Sequence, residues 1–384
     1  MAHEQDEFDD VRDAVRKLCA GFPATYWNGL EPDRYPTEFV DELTKHGWLA
    51  ALIPEEYGGG GVSLAGACVI MEEIAASGAN PAACHAQMYV MGTVLRHGSA
   101  AQKERYLPKI AAGELRLQAF GVSEAEAGSN TPQLRTRADK TPDGYRIHGR
   151  KMWISRAAHS DLMVLLARTT PLADVKRKTD GLSVFLIDLR DTGGAVTITP
   201  IPTMMNHSTT EIFFDGLDIP AEALIGEEGK GFRYILDGMN AERTLIASEC
   251  VGDGRFFLDK AVAYAKERIV FDRPIGANQG VQFPLARAHL AVQAAGLMRD
   301  QAAARYDAGL DCGAEASGAK LMASEASWAA ANACLDVHGG MGFAVETDVE
   351  RKFRETRLYQ TAPISNNLVL AHIAHNVLKL PRSY

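Results

Sequence analysis

Over residues 6–115 apolar positions recur at helical spacing, in short amphipathic stretches interrupted at Pro36, at Tyr57-Gly58-Gly59-Gly60-Gly61 and at Asn80-Pro81. This pattern predicts an N-terminal helical domain, residues 1–116. From 118 to 225 the texture changes to short β-branched runs at 161–168, 182–189 and 196–200, separated by turn-rich stretches. A middle β domain, residues 117–227, is expected there. After Gly226-Glu227-Glu228-Gly229-Lys230-Gly231 helical spacing returns in segments 232–251, 255–271, 281–309, 317–335 and 364–378. These predict a C-terminal helical bundle, residues 228–384. The fold class is therefore mainly α with a central β domain. Alanines between 291 and 333 read as small contact residues of closely packed helices.

With 384 residues, 46% of them hydrophobic, the chain can bury more than one core, which excludes a disordered chain or a secreted mini-protein. The net charge of -9 argues against bulk nucleic acid or an anionic membrane as partner. Cys19, Cys68, Cys84, Cys250, Cys312 and Cys334 lie far apart, with no CxxC pair and no histidine at metal-ligand spacing. Reduced, buried thiols and no metal are expected. The acidic, helix-patterned N-terminus lacks the apolar core of a signal peptide, and no apolar run approaches the roughly 20 residues that cross a bilayer. The expected compartment is the cytoplasm.

Three constellations carry candidate chemistry. Phe120-Gly121-Val122-Ser123-Glu124-Ala125-Glu126-Ala127-Gly128-Ser129-Asn130 combines glycines, which permit close backbone approach, with hydroxyls that donate to a polar cofactor edge. By itself such a loop is also an ordinary turn. In Lys151-Met152-Trp153-Ile154-Ser155, strand alternation would put Trp153 and Ser155 on one face, so that the indole could cover a flat ring such as a flavin. A core tryptophan in a small barrel is the alternative. Third, Ile235, Met239, Glu242 and Ile246 share one helix face, so Glu242 interrupts an apolar stripe. Taking a carboxylate out of water is expensive and raises its affinity for a proton. Glu242 is thus either half of a buried ion pair, with Arg243 or another arginine, or a general base.

All three constellations occur in the order found in the acyl-CoA dehydrogenase flavoprotein family. Tyr264-Ala265-Lys266-Glu267-Arg268-Ile269-Val270-Phe271-Asp272-Arg273-Pro274-Ile275 with Gln279 resembles that family's arginine-phenylalanine-glutamine signature, and Asp336-Val337-His338-Gly339-Gly340-Met341-Gly342-Phe343 resembles its glycine-pair segment. The resemblance spans nearly the whole chain, and it implies a helical domain, a β-barrel and a four-helix bundle in that order. It implies FAD as cofactor, with Phe120, Val122, Ser123, Gly128 and Ser129 along it and Trp153, Ile154 and Ser155 beside the isoalloxazine. Arg268, Phe271, Gln279, Asp336, Gly339, Gly340 and Ser365 would complete the cofactor site, in part across a subunit interface. At least a dimer, and by resemblance a homotetramer, is expected. Ser129, Asn240 and Arg243 are implied substrate-binding residues for an acyl-CoA.

The family's catalytic glutamate occupies one of two sequence positions. The first lies in the loop Leu358-Tyr359-Gln360-Thr361-Ala362-Pro363-Ile364-Ser365, where the register puts Pro363, which cannot abstract a proton. The second, used by isovaleryl-CoA and long-chain members, falls on Glu242, before Arg243. Resemblance and apolar stripe thus select the same residue. Pro363 also lacks the N–H that in relatives polarises the thioester carbonyl. Either Ile364 supplies that donor, with the register one residue off, or the contact is built differently. Asp272 replaces a usual glycine and Asn130 a usual aspartate.

The resulting expectation is α,β-dehydrogenation of an acyl-CoA to the 2-enoyl-CoA, by α-proton abstraction at Glu242 and β-hydride transfer to flavin N5. The implied electron acceptor is an electron-transferring flavoprotein; Gly58 to Gly61 follow no strand, so no nicotinamide-binding unit is read there. An acyl-CoA oxidase or flavin monooxygenase, and a non-catalytic CoA-ester-binding homologue, are the alternatives. The length argues against the larger oxidases and the presence of Glu242 against loss of catalysis. The acyl group is open, with Met88, Met91, Phe120 and Met239 as candidate pocket lining.

Overall fold

The computed structural model describes residues 8–382. Helices α1 (Asp9–Cys19), α2 (Ala24–Leu30), α3 (Thr37–Lys45), α4 (Leu64–Ala76), α5 (Ala82–His97) and α6 (Ala100–Ala111) precede the strands. Then come β1 (Leu117–Gly121), β2 (Arg137–Thr141), β3 (Gly144–Ser155), β4 (Leu162–Arg168), β5 (Leu182–Asp188), β6 (Val196–Pro200), β7 (Thr209–Pro220) and β8 (Leu224–Ile225). The chain continues with α7 (Gly231–Glu267), the short hairpin β9 (Ile269–Val270) and β10 (Arg273–Pro274), and helices α8 (Gln279–Asp307), α9 (Gly313–His338), α10 (Val349–Thr356) and α11 (Asn366–His372). No helix among the described residues is long and apolar enough to cross a membrane. All six cysteines are free and buried.

The elements gather into two compact units. One comprises Pro32–Gly61 and Ala82–Met239, and holds the sheet. Its strands run β6-β7-β3-β2-β4-β5-β8, with β1 pairing parallel to β4. Every residue of β4 is buried, because alternate side chains enter different cores. Leu162, Val164 and Leu166 pack with Val90, Met91 and Val94 of α5, whereas Met163, Leu165 and Ala167 pack with Ile147, Phe185 and Phe214 of the sheet. This two-sided burial fixes the register of β4, and through it the place where β1 delivers Phe120 and Gly121.

The other unit comprises the N-terminal segment to Glu31, Val62–Pro81 and the chain from Asn240 onward. Its core is lined by small residues, among them Ala295, Ala302, Ala316, Ala319, Ala323 and Ala330, as the alanine-rich pattern predicts. The segments expected at 232–251 and 255–271 are in fact one helix, α7, of 37 residues. Gly252 and Gly254 do not break it; they let neighbours approach. A Cβ on Gly252 would lie 2.3 Å from Glu72 O, and one on Gly254 would lie 2.5 Å from Val292 Cγ2. Beyond Glu267 the expected helix gives way to the hairpin.

Between these two glycines, Asp253 sits fully buried and is met by the equally buried Lys352 of α10, Nζ to Oδ1 2.6 Å. Lys352 also reaches Glu355 Oε2 at 3.3 Å, and Arg351 bridges Asp348 and Glu355 at 2.7 and 2.8 Å. Burial pushes the Asp253 carboxyl upward and Lys352 opposes that shift. Removing one partner of such a network strands the other's charge out of water. Lys352→Met is therefore expected to cost about 3 to 5 kcal/mol of unfolding free energy. The double variant Lys352→Met/Asp253→Leu should recover most of it. Urea unfolding of the two variants checks this, and equal loss in both would contradict it.

Candidate active site

In the sheet-bearing unit, β1 leads into the first constellation. Phe120 is half-buried and meets Tyr89 of α5 edge-on, with ring centroids 5.3 Å apart. Val122 and Ser123 are half-buried, and Gly128, Ser129 and Asn130 are exposed. The second constellation lies directly beside Ser123, because Met152 N–H donates to Ser123 O at 3.0 Å. The expected alternation does not run through it. The β3–β7 register slips between Lys151 and Ile154, and Trp153 takes a left-handed φ of 65°. Lys151 and Ile154 both turn inward, while the indole of Trp153 is 56% exposed. A bulge of this kind re-aims one side chain out of the pleat.

In the other unit, Glu242 is buried on α7, only 5% exposed, as are its stripe neighbour Ile246 and, further along the helix, Glu249 and Asp253. Arg243 Nη1 donates to Asn240 Oδ1 at 3.1 Å, so two of the implied substrate residues are joined. Burial lowers the Arg243 pKa, and the nearby charge of Glu242 counters it. Ser365 caps α11 by accepting from Leu368 N–H at 3.4 Å. Residues 361–365 lie between two buried anchors. On one side Tyr359 donates to Glu249 Oε2 at 2.8 Å; on the other Lys320 Nζ donates to Ile364 O at 2.7 Å and to Asn366 Oδ1 at 2.8 Å. Burial pushes the Tyr359 phenol well up and holds Lys320 down to about 8.

The hairpin after α7 presents Phe271 and Asp272, both at positive φ (53° and 62°), and Phe271 is 93% exposed. A two-residue turn with both central residues left-handed favours Gly, Asn and Asp, which accounts for Asp272 and leaves Phe271 as the strained member. Arg268, Gln279, Asp336, Gly339 and Gly340 are all exposed. Tyr264, one turn before Arg268, stacks on His338 at 4.3 Å, which brings the hairpin's base to the glycine pair.

The sequence reading missed the groups beneath these surfaces. Glu124 and Lys151 form a buried ion pair, Oε1 to Nζ 3.0 Å, and Glu249 and Asp253 repeat the Glu242 pattern two and three turns along α7. Only Glu249 carried a signal, an acid within the largely apolar stretch 245–251; Lys151 follows Arg150, Glu124 stands two residues before Glu126, and Asp253 lies between two glycines.

The acyl-CoA dehydrogenase N-terminal, middle and C-terminal domain families match residues 5–114, 119–217 and 229–378. The chain is 35% identical over 383 residues to the acyl-CoA dehydrogenase FadE12 of Mycobacterium tuberculosis, covering 98% of each. Among solved structures it is similar to a glutaryl-coenzyme A dehydrogenase with glutaryl-CoA, with TM-score 0.91, 30% identity, and coverage of 99% of this chain and 97% of that one. It is equally similar in fold, with TM-score 0.91 and 25% identity, to a structure from work on the electron transferring flavoprotein of Acidaminococcus fermentans, covering 99% and 100%. The chain belongs to the acyl-CoA dehydrogenase family. It is an oxidoreductase acting on acyl-CoA, and its cofactor is FAD.

The residues present suit that cofactor. Trp153 and Phe271 present aromatic surface to solvent, 56% and 93% exposed, against which a flat ring can lie. Nothing lies within 4 Å of where a Cβ would sit on Gly128, Gly339 or Gly340, which leaves the backbone there open to close approach.

Proposed function

We propose that this protein dehydrogenates an acyl-CoA at the α and β carbons, with Glu242 as the general base. The observation that carries the reading is a carboxylate 5% exposed on the apolar face of α7, while Pro363 stands at the alternative position. Bound FAD would supply the hydride acceptor, at flavin N5. Glu242 would take the α proton and hold it on its carboxylate. Burial keeps water, a competing proton donor, away from that oxygen. An α proton of a thioester is too weakly acidic for a free carboxylate, so donors to the thioester oxygen must stabilise the developing enolate.

In the same reading Phe120, Val122, Ser123, Gly128, Ser129, Trp153, Ile154 and Ser155 line the cofactor, and Ser129, Asn240 and Arg243 hold the substrate. The exposure of Phe271 supports a site completed by a second copy, with Arg268, Phe271, Gln279, Asp336, Gly339 and Gly340 serving the neighbour's FAD. Ser365 is assigned to the cofactor site too, although its hydroxyl caps α11. The domain limits 1–116, 117–227 and 228–384, the homotetramer and a cytoplasmic location belong to this reading.

Glu242→Gln should retain FAD and bind acyl-CoA, yet reduce the flavin at least about three orders of magnitude more slowly, within the usual scale of losing a general base. Anaerobic bleaching of the flavin by acyl-CoA at the native rate would retire the assignment. Arg268→Ala should lower FAD affinity by about tenfold or more, the scale of one charge-assisted hydrogen bond, and weaken assembly with it. A monomer fully loaded with FAD would contradict the shared site. The electron acceptor we assign is an electron-transferring flavoprotein. Stopped-flow reoxidation decides between that acceptor and dioxygen: rapid peroxide formation in air, outpacing transfer to the flavoprotein, would favour an oxidase.

A further inference from the structure

The buried pair Glu124 and Lys151 ties together three stretches of backbone. The Glu124 carboxylate accepts from Arg135 N–H (Oε2, 2.7 Å) and Thr136 N–H (Oε1, 2.9 Å). Those two bonds close the loop from residue 124 to residue 136, on which Gly128 and Ser129 sit. Within it, Ala127 N–H returns to Glu124 O at 3.2 Å and Thr131 Oγ1 donates to Gly128 O at 2.8 Å. Arg168 fastens the far side, donating from Nη2 to Pro132 O at 2.8 Å.

Lys151 is fully buried and donates to Val122 O and to Glu124 Oε1, each at 3.0 Å. It therefore grips the backbone one residue before Ser123. The next residue, Met152, bonds Ser123 O through its N–H, and the bulge at Trp153 follows at once. Thr136 Oγ1 closes the third side on Arg150 O at 3.3 Å, where a Cβ on Gly149 would come within 2.6 Å of Thr136. Segments 122–124, 134–136 and 149–152 are thus joined at a single carboxylate and a single ammonium.

We infer that Glu124 and Lys151 are positioning residues for FAD, a clasp that holds the Val122-Ser123 strand end, the Gly128-Ser129 loop and the Trp153-Ser155 bulge in one fixed arrangement. Neither side chain touches the cofactor in this account. Each acts through backbone groups that do, so the inference rests on the cofactor residues assigned under the proposed function. A flat cofactor held by scattered N–H and O–H donors needs them fixed in advance, since donors that must be ordered on binding weaken it. Two opposite charges sealed from water supply such rigidity, because neither can leave without stranding the other.

The test uses Lys151→Met, which keeps much of the stem and removes the ammonium, and Glu124→Gln, which keeps an amide oxygen for one backbone N–H. Dissociation of FAD from each holoprotein is followed by recovery of free flavin fluorescence on dilution, and the geometry of the bound flavin by its visible circular dichroism. Each variant is expected to hold FAD about 10- to 100-fold more weakly, the range seen when a residue that orients a metal's ligands is removed. The visible dichroism should change, and the double variant should lose little more than either single one, as for two members of one device. Lys140→Met, at an exposed position in the same sheet, should match the native protein.

Trp153→Ala and Gly128→Val separate this inference from the reading beneath it. If they loosen FAD while Lys151→Met and Glu124→Gln bind it as tightly as the native protein, the clasp is wrong and the contact residues stand. If none of the four loosens it, both the clasp and the contact assignment beneath it are wrong. If Lys151→Met does not fold, Glu124→Gln decides: native FAD affinity and dichroism in that variant overturn the proposal.

Discussion

A charge removed from water must meet an opposite charge or hydrogen-bonding partners, and that constraint shapes both units of this protein. In the sheet-bearing unit it is satisfied at Glu124 and Lys151, where burial draws the lysine down to about 8 and the carboxylate opposes the shift. The carboxylate itself stays below its ordinary range despite burial, because Lys151 and the N–H groups of Arg135 and Thr136 favour its charged form. An apolar pair of the same volume would pack as well. It would not accept two backbone N–H groups at one end while donating to a backbone carbonyl at the other, so the loop and the strand end would lose their common anchor.

The helical unit meets the same constraint along α7. Glu249 finds the Tyr359 hydroxyl and Asp253 finds Lys352, so two of the acids on the helix have partners donated by the segment 352–359. The helix that carries the proposed base is thereby bound to the segment leading into residues 361–365. Lys320 holds the same stretch from α9. These bonds fix the loop whether or not it carries a catalytic group, which suits the proposed reading, in which Pro363 stands at the alternative position.

Much of this was legible in the sequence, and the reasons differ by element. The strands at 162–168, 182–188 and 196–200 stood out because β-branched and apolar runs bounded by turns have few other uses. The burial of Glu242 was legible because a carboxylate in an apolar stripe is rare. The continuity of α7 was not legible: glycines at 252 and 254 suggest a break, and only the presence of Glu72 and Val292 beside them makes them contact residues. Trp153 was placed on the right strand but with the wrong pleat, since a bulge depends on pairing with β7 rather than on local composition. The Glu124–Lys151 pair joins residues 27 apart, and no local pattern couples them.

Two of the proposed cofactor residues, Trp153 and Phe271, depart from ordinary backbone geometry. Both adopt left-handed φ values that a bulky side chain resists, at a cost of roughly 1–2 kcal/mol per residue. Such strain persists only where surrounding structure enforces it. At Trp153 the enforcing elements are visible: the pairing with β7 on one side, and on the other the Met152 N–H bonded to Ser123 O just after Lys151. The indole therefore stands out of the pleat because the backbone before and after it is fixed. A looser strand would let Trp153 relax toward the core, and the aromatic surface proposed to lie beside the flavin would be lost without any change in the residue itself.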